Sequence, residues 1–339
     1  MKNRYLILLI ILLRTWTIAG QVPEGYYDNA IGKTGEELKE ALHDIIDDHV
    51  EYSYNDLRDF ILLDCDEDPE NSDNVILLYS GFSRSKDDFG GNDGQWNREH
   101  VWAKSHGDFD NDPPEGTDAH HVRASDVRIN NIRGNLDFDN GGSPVNGAPG
   151  CKVDENSFEP HDDFKGDVAR MIFYMAVRYE GGDGELDLEV VDMVNNAPEP
   201  EHGKLSTLMD WHVMDPPDEF EENRNEVVFG YQENRNPFID HPEFVEDIWG
   251  DPAGIESKNG NTLICFPNPF PEKTYIRSNH TKLNYAVFSF DGIALIQKTP
   301  IAGNTLIDLS GYNSGLYLLI VSDERGNITN RFKLIKTSR

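Results

Sequence analysis

The chain is poor in cysteine, in basic charge and in long apolar runs, and each shortage closes off a class of function. Its three cysteines, Cys65, Cys151 and Cys265, never form a CxxC pair, which argues against a zinc site built on thiolates. No HExxH occurs, and Glu99-His100 with the later His106 stand in the wrong order for a zinc peptidase. The apolar run Tyr5–Leu13 is too short to cross a bilayer.

Basic charge is scarce and unevenly placed. Thirty Lys and Arg face 62 Asp and Glu over 339 residues, a net charge of −32. Residues 21–257 hold 17 basic against 57 acidic side chains, a balance of −40, whereas residues 258–339 hold 10 against 5, a balance of +5. The acidic part repels a polyanion at long range, so binding one would depend on divalent cations and on salt screening. The composition alone favours a soluble, salt-adapted extracellular protein and argues against the basic footprint usual for nucleic-acid binding.

Lys2 and Arg4 open the chain, Tyr5–Leu13 follows, Arg14 interrupts the run, and Ala19-Gly20 supply small residues. This pattern predicts a signal peptide over 1–20 rather than a membrane anchor, and hence an exported mature protein. Thr34-x-x-Glu37 predicts a capping box ahead of a helix with Leu38, Leu42, Ile45 and Ile46 on one face. Further helices are expected over Asn55–Leu63, Phe164–Tyr179, Leu205–His212 and Asn223–Gln232, with Val75–Tyr79 as a buried strand. Arg170 and Arg178 on the apolar 164–179 helix are expected to form structural salt bridges. Asp64-x-Asp66-x-Asp68 and Asp108-x-Asp110-x-Asp112 resemble the start of a calcium loop, but Pro replaces the required Gly and no Glu closes either one. Both are read as solvated acidic loops.

Two stretches carry the chemistry: QWNREHVWAKSHG (95–107) and DAHHVRASDVRINNIRGN (118–135). Arg98, Glu99 and His100 are consecutive. In an extended strand, neighbours face opposite sides, so Glu99 and His100 share a site only at a strand end or bend. Ala119–Arg123 reads as a short strand. Ser125 reads as the N-cap of a helix of two to three turns, with Asp126 in its first turn and Asn130 and Arg133 on it. The expected order is strand, loop, strand, helix. A neutral His can activate water, Glu and Asn oxygens suit a hard divalent cation, and arginines such as Arg98 and Arg133 can clamp a phosphate. Together these suit phosphodiester hydrolysis. Of His120-His121, His121 is expected to face the site. On a helix Asn130 and Asn131 lie about 100° apart, so one of them is the ligand.

NREHVW, then D-x-HH, then INNxRGN resembles the bacterial endonuclease I family of ββα-metal (His-Me) finger nucleases. The likeness continues in FEPHDDFKGDVARMIFYMAVRYE (158–180), in Trp211-His212 and in ENRNEVVFGYQENRNPFIDHPEFVEDIW (222–249), so it spans about residues 25–250. It implies His100 as general base, Glu99 and Asn130 as metal ligands, and His121, Arg133 and Asn135 in supporting positions. It also implies Mg2+ as cofactor (Ca2+ or Mn2+ as alternatives) and 5′-phosphate products from DNA or RNA. The sequence departs from the family at Ala103, where Pro is usual, at Ala119, where Leu is usual, and at Val122-Arg123-Ala124. The loop SHGDFDNDPPEGT (105–117) lacks the phosphate-binding Arg of some relatives, which leaves Lys104, Arg123 and Arg133 as candidates.

After a Pro/Gly/Asp/Ser-rich linker at 251–260, short β runs with Gly and Asn turns predict a small all-β sandwich over 261–339. Pro267-Asn268-Pro269, Phe290-Asp291-Gly292, Asp308-Leu309-Ser310, Ser314-Gly315-Leu316-Tyr317 and Lys333-Leu334-Ile335-Lys336 resemble the C-terminal sorting domain of type IX secretion. The whole is expected to be α+β: a mainly helical nuclease domain over 21–250 containing the ββα-metal finger, then the β domain. It is expected to be a monomer with no membrane span, exported through the periplasm to the medium or cell surface. Its expected partners are a nucleic-acid substrate and the secretion machinery. The competing reading is an inactive surface-binding protein on a nuclease scaffold. Cys65–Cys151 is the one disulfide pairing open within the first domain.

Overall fold

The computed structural model describes residues 22–182, 184–250, 263–266, 270, 272–278, 282–289, 292–301, 304–323, 325 and 328–337. The leader expected at 1–20 and the linker at 251–260 lie outside them. In chain order, the elements that frame the first domain are α1 (Glu36–Ile46), β1 (Asn71–Leu77), β2 (Phe82–Ser85), β3 (Trp96–His100), β4 (Val122–Asp126), α2 (Val127–Arg133), α3 (Lys165–Arg178), α4 (Leu205–Met214) and α5 (Glu219–Gln232). The domain is a mixture of helices and several small sheets rather than a mainly helical body.

Every residue of α3 is buried, so this helix carries no polar stripe and runs through the middle of the core. Leu38, Leu42 and Ile46 of α1, Trp211 of α4, and Phe238, Phe244 and Val245 belong to the same core cluster. The charges on α3 are matched inside the fold. Arg170 Nε donates to Glu221 Oε1 at 2.8 Å, and Arg178 pairs with Asp47 and Glu185 at 2.6 and 2.7 Å. The structural use expected of both arginines is what the fold shows.

Local starts differ from the sequence reading. The Thr34–Glu37 box does not form: α1 is capped at Gly35, with no side-chain cap. Gly35 adopts φ 58°, and its N–H is held by Asp247 O at 2.8 Å, so a distant segment sets the helix start. A capping box forms instead at Ser53 and Asp56. It opens a helical segment that continues through a π-helical turn, Leu57–Ile61, to Leu62–Cys65.

The acidic run at 64–68 is not a solvated loop at its centre. Asp66 is fully buried. Its Oδ1 accepts from Arg224 Nε of α5 at 2.8 Å and lies 2.7 Å from Arg123 Nε of β4, and its Oδ2 accepts from Ala124 N at 2.7 Å. One carboxylate thus ties α5 to the middle of β4. Asp66→Asn leaves two buried guanidiniums short of a counter-charge. It is expected to lower unfolding stability by about 3–5 kcal/mol, read from urea denaturation at pH 7; a loss under about 1 kcal/mol would show that the tie is dispensable.

The three cysteines are free: Cys65 and Cys151 are buried apart, and Cys151 Sγ donates to Tyr79 O at 3.1 Å. The Cys65–Cys151 pairing therefore does not occur. Burial pushes these two thiols up to about 12 and about 11, which keeps both protonated and unreactive.

The C-terminal region is antiparallel β. Strands β5 (Leu263–Phe266), β6 (Lys273–Ser278) and, after β7 (Leu283–Ser289) and β8 (Ala294–Pro300), β9 (Asn304–Asp308) form one sheet in the order β5-β6-β9. With β10 (Gly315–Asp323) and β11 (Ile328–Lys336), the other runs β8-β7-β10-β11. Tyr317, Leu319 and Val321 alternate inward along β10. They share a core with Val287 of β7 and with Ile276 and Ile307 of the first sheet, as expected for two sheets packed face to face.

Candidate active site

β3 and β4 pair antiparallel, with Asn97 opposite Ser125, Glu99 opposite Arg123 and His100 opposite Val122. The second strand therefore begins three residues later than the sequence reading placed it and runs into the helix. As a result the N-cap of α2 is Asp126, whose Oδ1 accepts from Arg128 N and Ile129 N at 3.0 and 3.3 Å, and Ser125 stays in the strand. Leu78, just beyond β1, adds a parallel bridge to Ser125.

Two residues one turn apart sew α2 to β3. Asn130 Nδ2 donates to Asn97 Oδ1 and Arg98 O at 3.0 and 3.2 Å. Arg133, fully buried, donates from Nη1 to Glu99 Oε1 and His100 O at 2.9 and 2.8 Å, and from Nη2 to Val101 O at 2.6 Å. Asn131 is exposed and points away. These contacts settle which asparagine faces the strand. They also remove Arg133 from direct phosphate binding, since its guanidinium is buried against protein acceptors. Arg123 is fully buried too, held between Asp66 and Asp167.

Glu99 is buried. Both of its hydrogen bonds, from Arg133 and from Tyr79 Oη at 2.6 Å, fall on Oε1, and Oε2 takes none among the described residues. The Asn130 Oδ1 is likewise unused. Burial pushes the Glu99 carboxyl up against the pull of Arg133 and Tyr79. Two uncommitted hard oxygens on one strand and its helix suit a small divalent cation.

His100 closes β3 and points away from Glu99. Its Nε2 lies 3.0 Å from Gly116 O. A carbonyl only accepts, so Nε2 carries the proton and the neutral ring keeps its Nδ1 lone pair. Burial, then the nearby His121, Lys104 and Arg98, push its pKa well below the ordinary 6.5. Tyr54 stacks against the ring at 5.7 Å and 21°. Gly116 is required where it is, because a Cβ there would fall 2.2 Å from Asp110 O. The loop without arginine thus contributes a backbone carbonyl.

His121 lies 5.6 Å from the His100 ring and faces Glu115 O with Nε2 at 2.8 Å, whereas His120 turns away to Asn234 O and Tyr174. Asp118 anchors this turn by accepting from Tyr174, Tyr179 and Gln232 side chains and from His120 N. Asn135 is exposed and bonds Ser105 Oγ at 3.1 Å.

Most cations of the acidic domain are ion-paired. Among the described residues 22–250, only Arg98, Lys104 and Arg128 form no salt bridge. Two of these three lie beside His100. Arg98 stacks 3.4 Å over the Tyr54 ring, and Lys104 Nζ bonds only Asn111 Oδ1, at 2.8 Å. The net charge of the domain hides this local positive patch.

Residues 34–243 match the Endonuclease I family, and residues 265–336 match the secretion system C-terminal sorting domain. The chain belongs to the Endonuclease I family. An extracellular ribonuclease of Bacillus subtilis (strain 168) is 57% identical over 225 residues, covering 66% of this chain and 78% of that protein. One from Bacillus amyloliquefaciens is 56% identical over 227 residues, covering 67% and 78%. This family member is a secreted or cell-surface nuclease whose C-terminal domain is of the type IX sorting kind. No helix among the described residues is long and apolar enough to cross a membrane. The sequence reading missed Asp137, just past the second motif stretch, and Tyr79 and His202, which reach the site's supporting shell from distant segments with no local motif to announce them.

Proposed function

We propose that this protein is a metal-dependent endonuclease that hydrolyses internal phosphodiester bonds of RNA and DNA through a ββα-metal finger made of β3, β4 and α2. One observation carries the reading: a neutral His100, oriented through Nε2 by Gly116 O, lies beside the unpaired cations Arg98 and Lys104. His100 Nδ1 takes a proton from the water that attacks phosphorus. Arg98 and Lys104 hold the phosphate and balance its charge. Glu99 Oε2 and Asn130 Oδ1 would hold Mg2+, with Ca2+ or Mn2+ as alternatives. Such an ion, when bound, stabilises the charge that builds on the phosphate and the leaving oxygen.

Both relatives are named ribonucleases, which supports RNA as a substrate. Attack by water does not need the 2′-hydroxyl, so DNA fits the same chemistry. The inactive-scaffold reading gains nothing from the site, where each residue of the proposed chemistry is present.

The test is cleavage of supercoiled plasmid and single-stranded RNA by the full chain, with Mg2+ or EDTA, followed by analysis of the ends. Both substrates are expected to be cut only with metal and to carry 5′-phosphates. RNA ending in 2′,3′-cyclic phosphate, formed in EDTA, would overturn the reading.

A further inference from the structure

The strongest uncommitted chemistry outside the site is a buried cluster of His106, Asp137 and His202, whose ligand-type atoms lie within 4.8 Å of one another. Its spacing invites a metal, but its hydrogen bonds do not. Both ring nitrogens of His106 already face backbone carbonyls, Glu201 O at 2.6 Å and Asn135 O at 2.9 Å. His202 Nε2 lies 3.0 Å from Arg133 Nη2, a full positive charge. A divalent ion here would have to displace carbonyls next to a buried guanidinium.

The same contacts define a directed chain. Arginine donates and never accepts, so His202 Nε2 must offer its lone pair to Arg133. The proton of the neutral ring is therefore on Nδ1, which lies 3.1 Å from Asp137 Oδ1 and 3.2 Å from Gly203 O. Asp137 is itself fixed by Gly203 N on Oδ1 and Asn195 N on Oδ2, each at 2.7 Å. The imidazole plane is clamped between His106 at 4.5 Å and Phe138 at 5.4 Å. Phe138 also lies under the Arg133 guanidinium, at 4.6 Å. Beyond Arg133 comes Glu99 Oε1 at 2.9 Å.

We propose that Asp137 and His202 are positioning residues for the metal site: through Arg133 they hold Glu99 by Oε1 so that Oε2 is presented to the cation. The inference rests on the metal-dependent reading above. Asp137 selects the His202 tautomer, His202 fixes the guanidinium, and the guanidinium fixes the carboxylate. Groups that orient a ligand in this way commonly change metal affinity by about 10–100-fold when altered.

The test uses the full chain and Mn2+ alone, with binding followed by electron paramagnetic resonance and folding by thermal unfolding without metal. His202→Phe keeps a ring between His106 and Phe138 but removes the ring nitrogen that accepts from Arg133 Nη2, leaving that nitrogen only Val101 O. Asp137→Asn keeps the shape but favours the wrong tautomer, as replacing the aspartate does in a Ser-His-Asp triad. Both are expected to bind Mn2+ about tenfold more weakly or worse, with the same rise in the Mg2+ needed for half-maximal cleavage. His202→Gln, whose amide oxygen can accept from Arg133, is expected to stay within about threefold of the wild type by the same reasoning. Should His202→Phe fail to fold, Asp137→Asn and His202→Gln decide the matter. Folded Asp137→Asn with unchanged Mn2+ affinity overturns the inference, as does Mn2+ that is lost in His202→Phe but kept in Glu99→Gln, since the ion would then belong to the histidine cluster. A wild type that binds no Mn2+ and cuts equally in EDTA overturns the metal reading itself.

Discussion

His100→Ala is expected to slow cleavage of plasmid and RNA by about 10²–10⁴-fold at saturating Mg2+, the usual contribution of a positioned base. The magnitude follows from what the fold has arranged. Gly116 O holds the Nε2 proton, burial keeps the ring neutral, and Tyr54 stacks on it, so Nδ1 needs no reorganisation to accept a proton. Alanine leaves an opening beside Arg98 and Lys104 and no acceptor in it. If Arg98 and Lys104 hold the phosphate as proposed, substrate binding should change far less than turnover, so the loss belongs in kcat. Gly116→Ala is a second approach to the same group. The added methyl strikes Asp110 O, moves the orienting carbonyl, and is expected to cost about 10–100-fold in kcat by displacing the base. If His100→Ala cut at the wild-type rate, the base would lie elsewhere. His121, 5.6 Å away with a buried Nδ1 that has no hydrogen-bond partner among the described residues, would be the next residue to replace.

Unfolding stability is expected to fall steeply between pH 6.5 and pH 4. Burial holds His120, His121, His202 and His212 down to about 4 in the folded protein, against about 6.5 when unfolded. Within that window the unfolded chain binds protons that the folded chain refuses. Stability therefore rises with pH there, is complete above 6.5, and is lost as pH falls. Well inside the window each histidine contributes about 1.4 kcal/mol per pH unit, so the four together contribute up to about 6 kcal/mol per pH unit before any offset. Raised carboxyls act in the opposite sense. Burial pushes Asp167 well up and Glu99, Glu180 and Asp215 up as well, so these bind protons when folded and offset part of the loss. The net expectation is a loss of roughly 3 kcal/mol between pH 6.5 and 5. Urea midpoints at pH 8, 6.5 and 5 measure it directly; equal midpoints at all three would show that the buried histidines ionise in place.

The chain −40 balance of residues 21–257 reads as hostile to nucleic acid, and the resemblance reads the same residues as a nuclease. The conflict is resolved by pairing rather than by composition. Acidic groups hold most of the domain's cations in salt bridges, and Arg98 and Lys104, bonded only to Tyr54 O and Asn111 Oδ1, are left without an acidic partner next to His100. A net charge counts side chains but does not record which of them already have partners, so no sequence total could have shown this.

How much of the site was legible depends on distance along the chain. Glu99, His100 and Asn130 lie on neighbouring elements and could be named as candidates, because the motifs NREHVW and INNxRGN that carry the family resemblance are each a few residues long. The strand and cap were each misplaced locally: strand pairing with Trp96–His100 carried the second strand through to Asp126, which then took the cap that Ser125 was expected to fill. The Thr34–Glu37 box failed because Asp247, two hundred residues away, holds the backbone at Gly35.

The sequence by itself determined the β-rich C-terminal region and the strand–loop–strand–helix order, because periodicity and turn residues are local properties, and its short motifs offered His100, Glu99 and Asn130 as candidates through a family resemblance. Only the tertiary structure decided what Arg133 does, which oxygen of Glu99 is free, that Asp66 is a buried tie and that Cys65 and Cys151 stay apart. Each of these depends on a partner brought from a distant segment by burial of the core around α3. No local pattern encodes which buried charge will meet which.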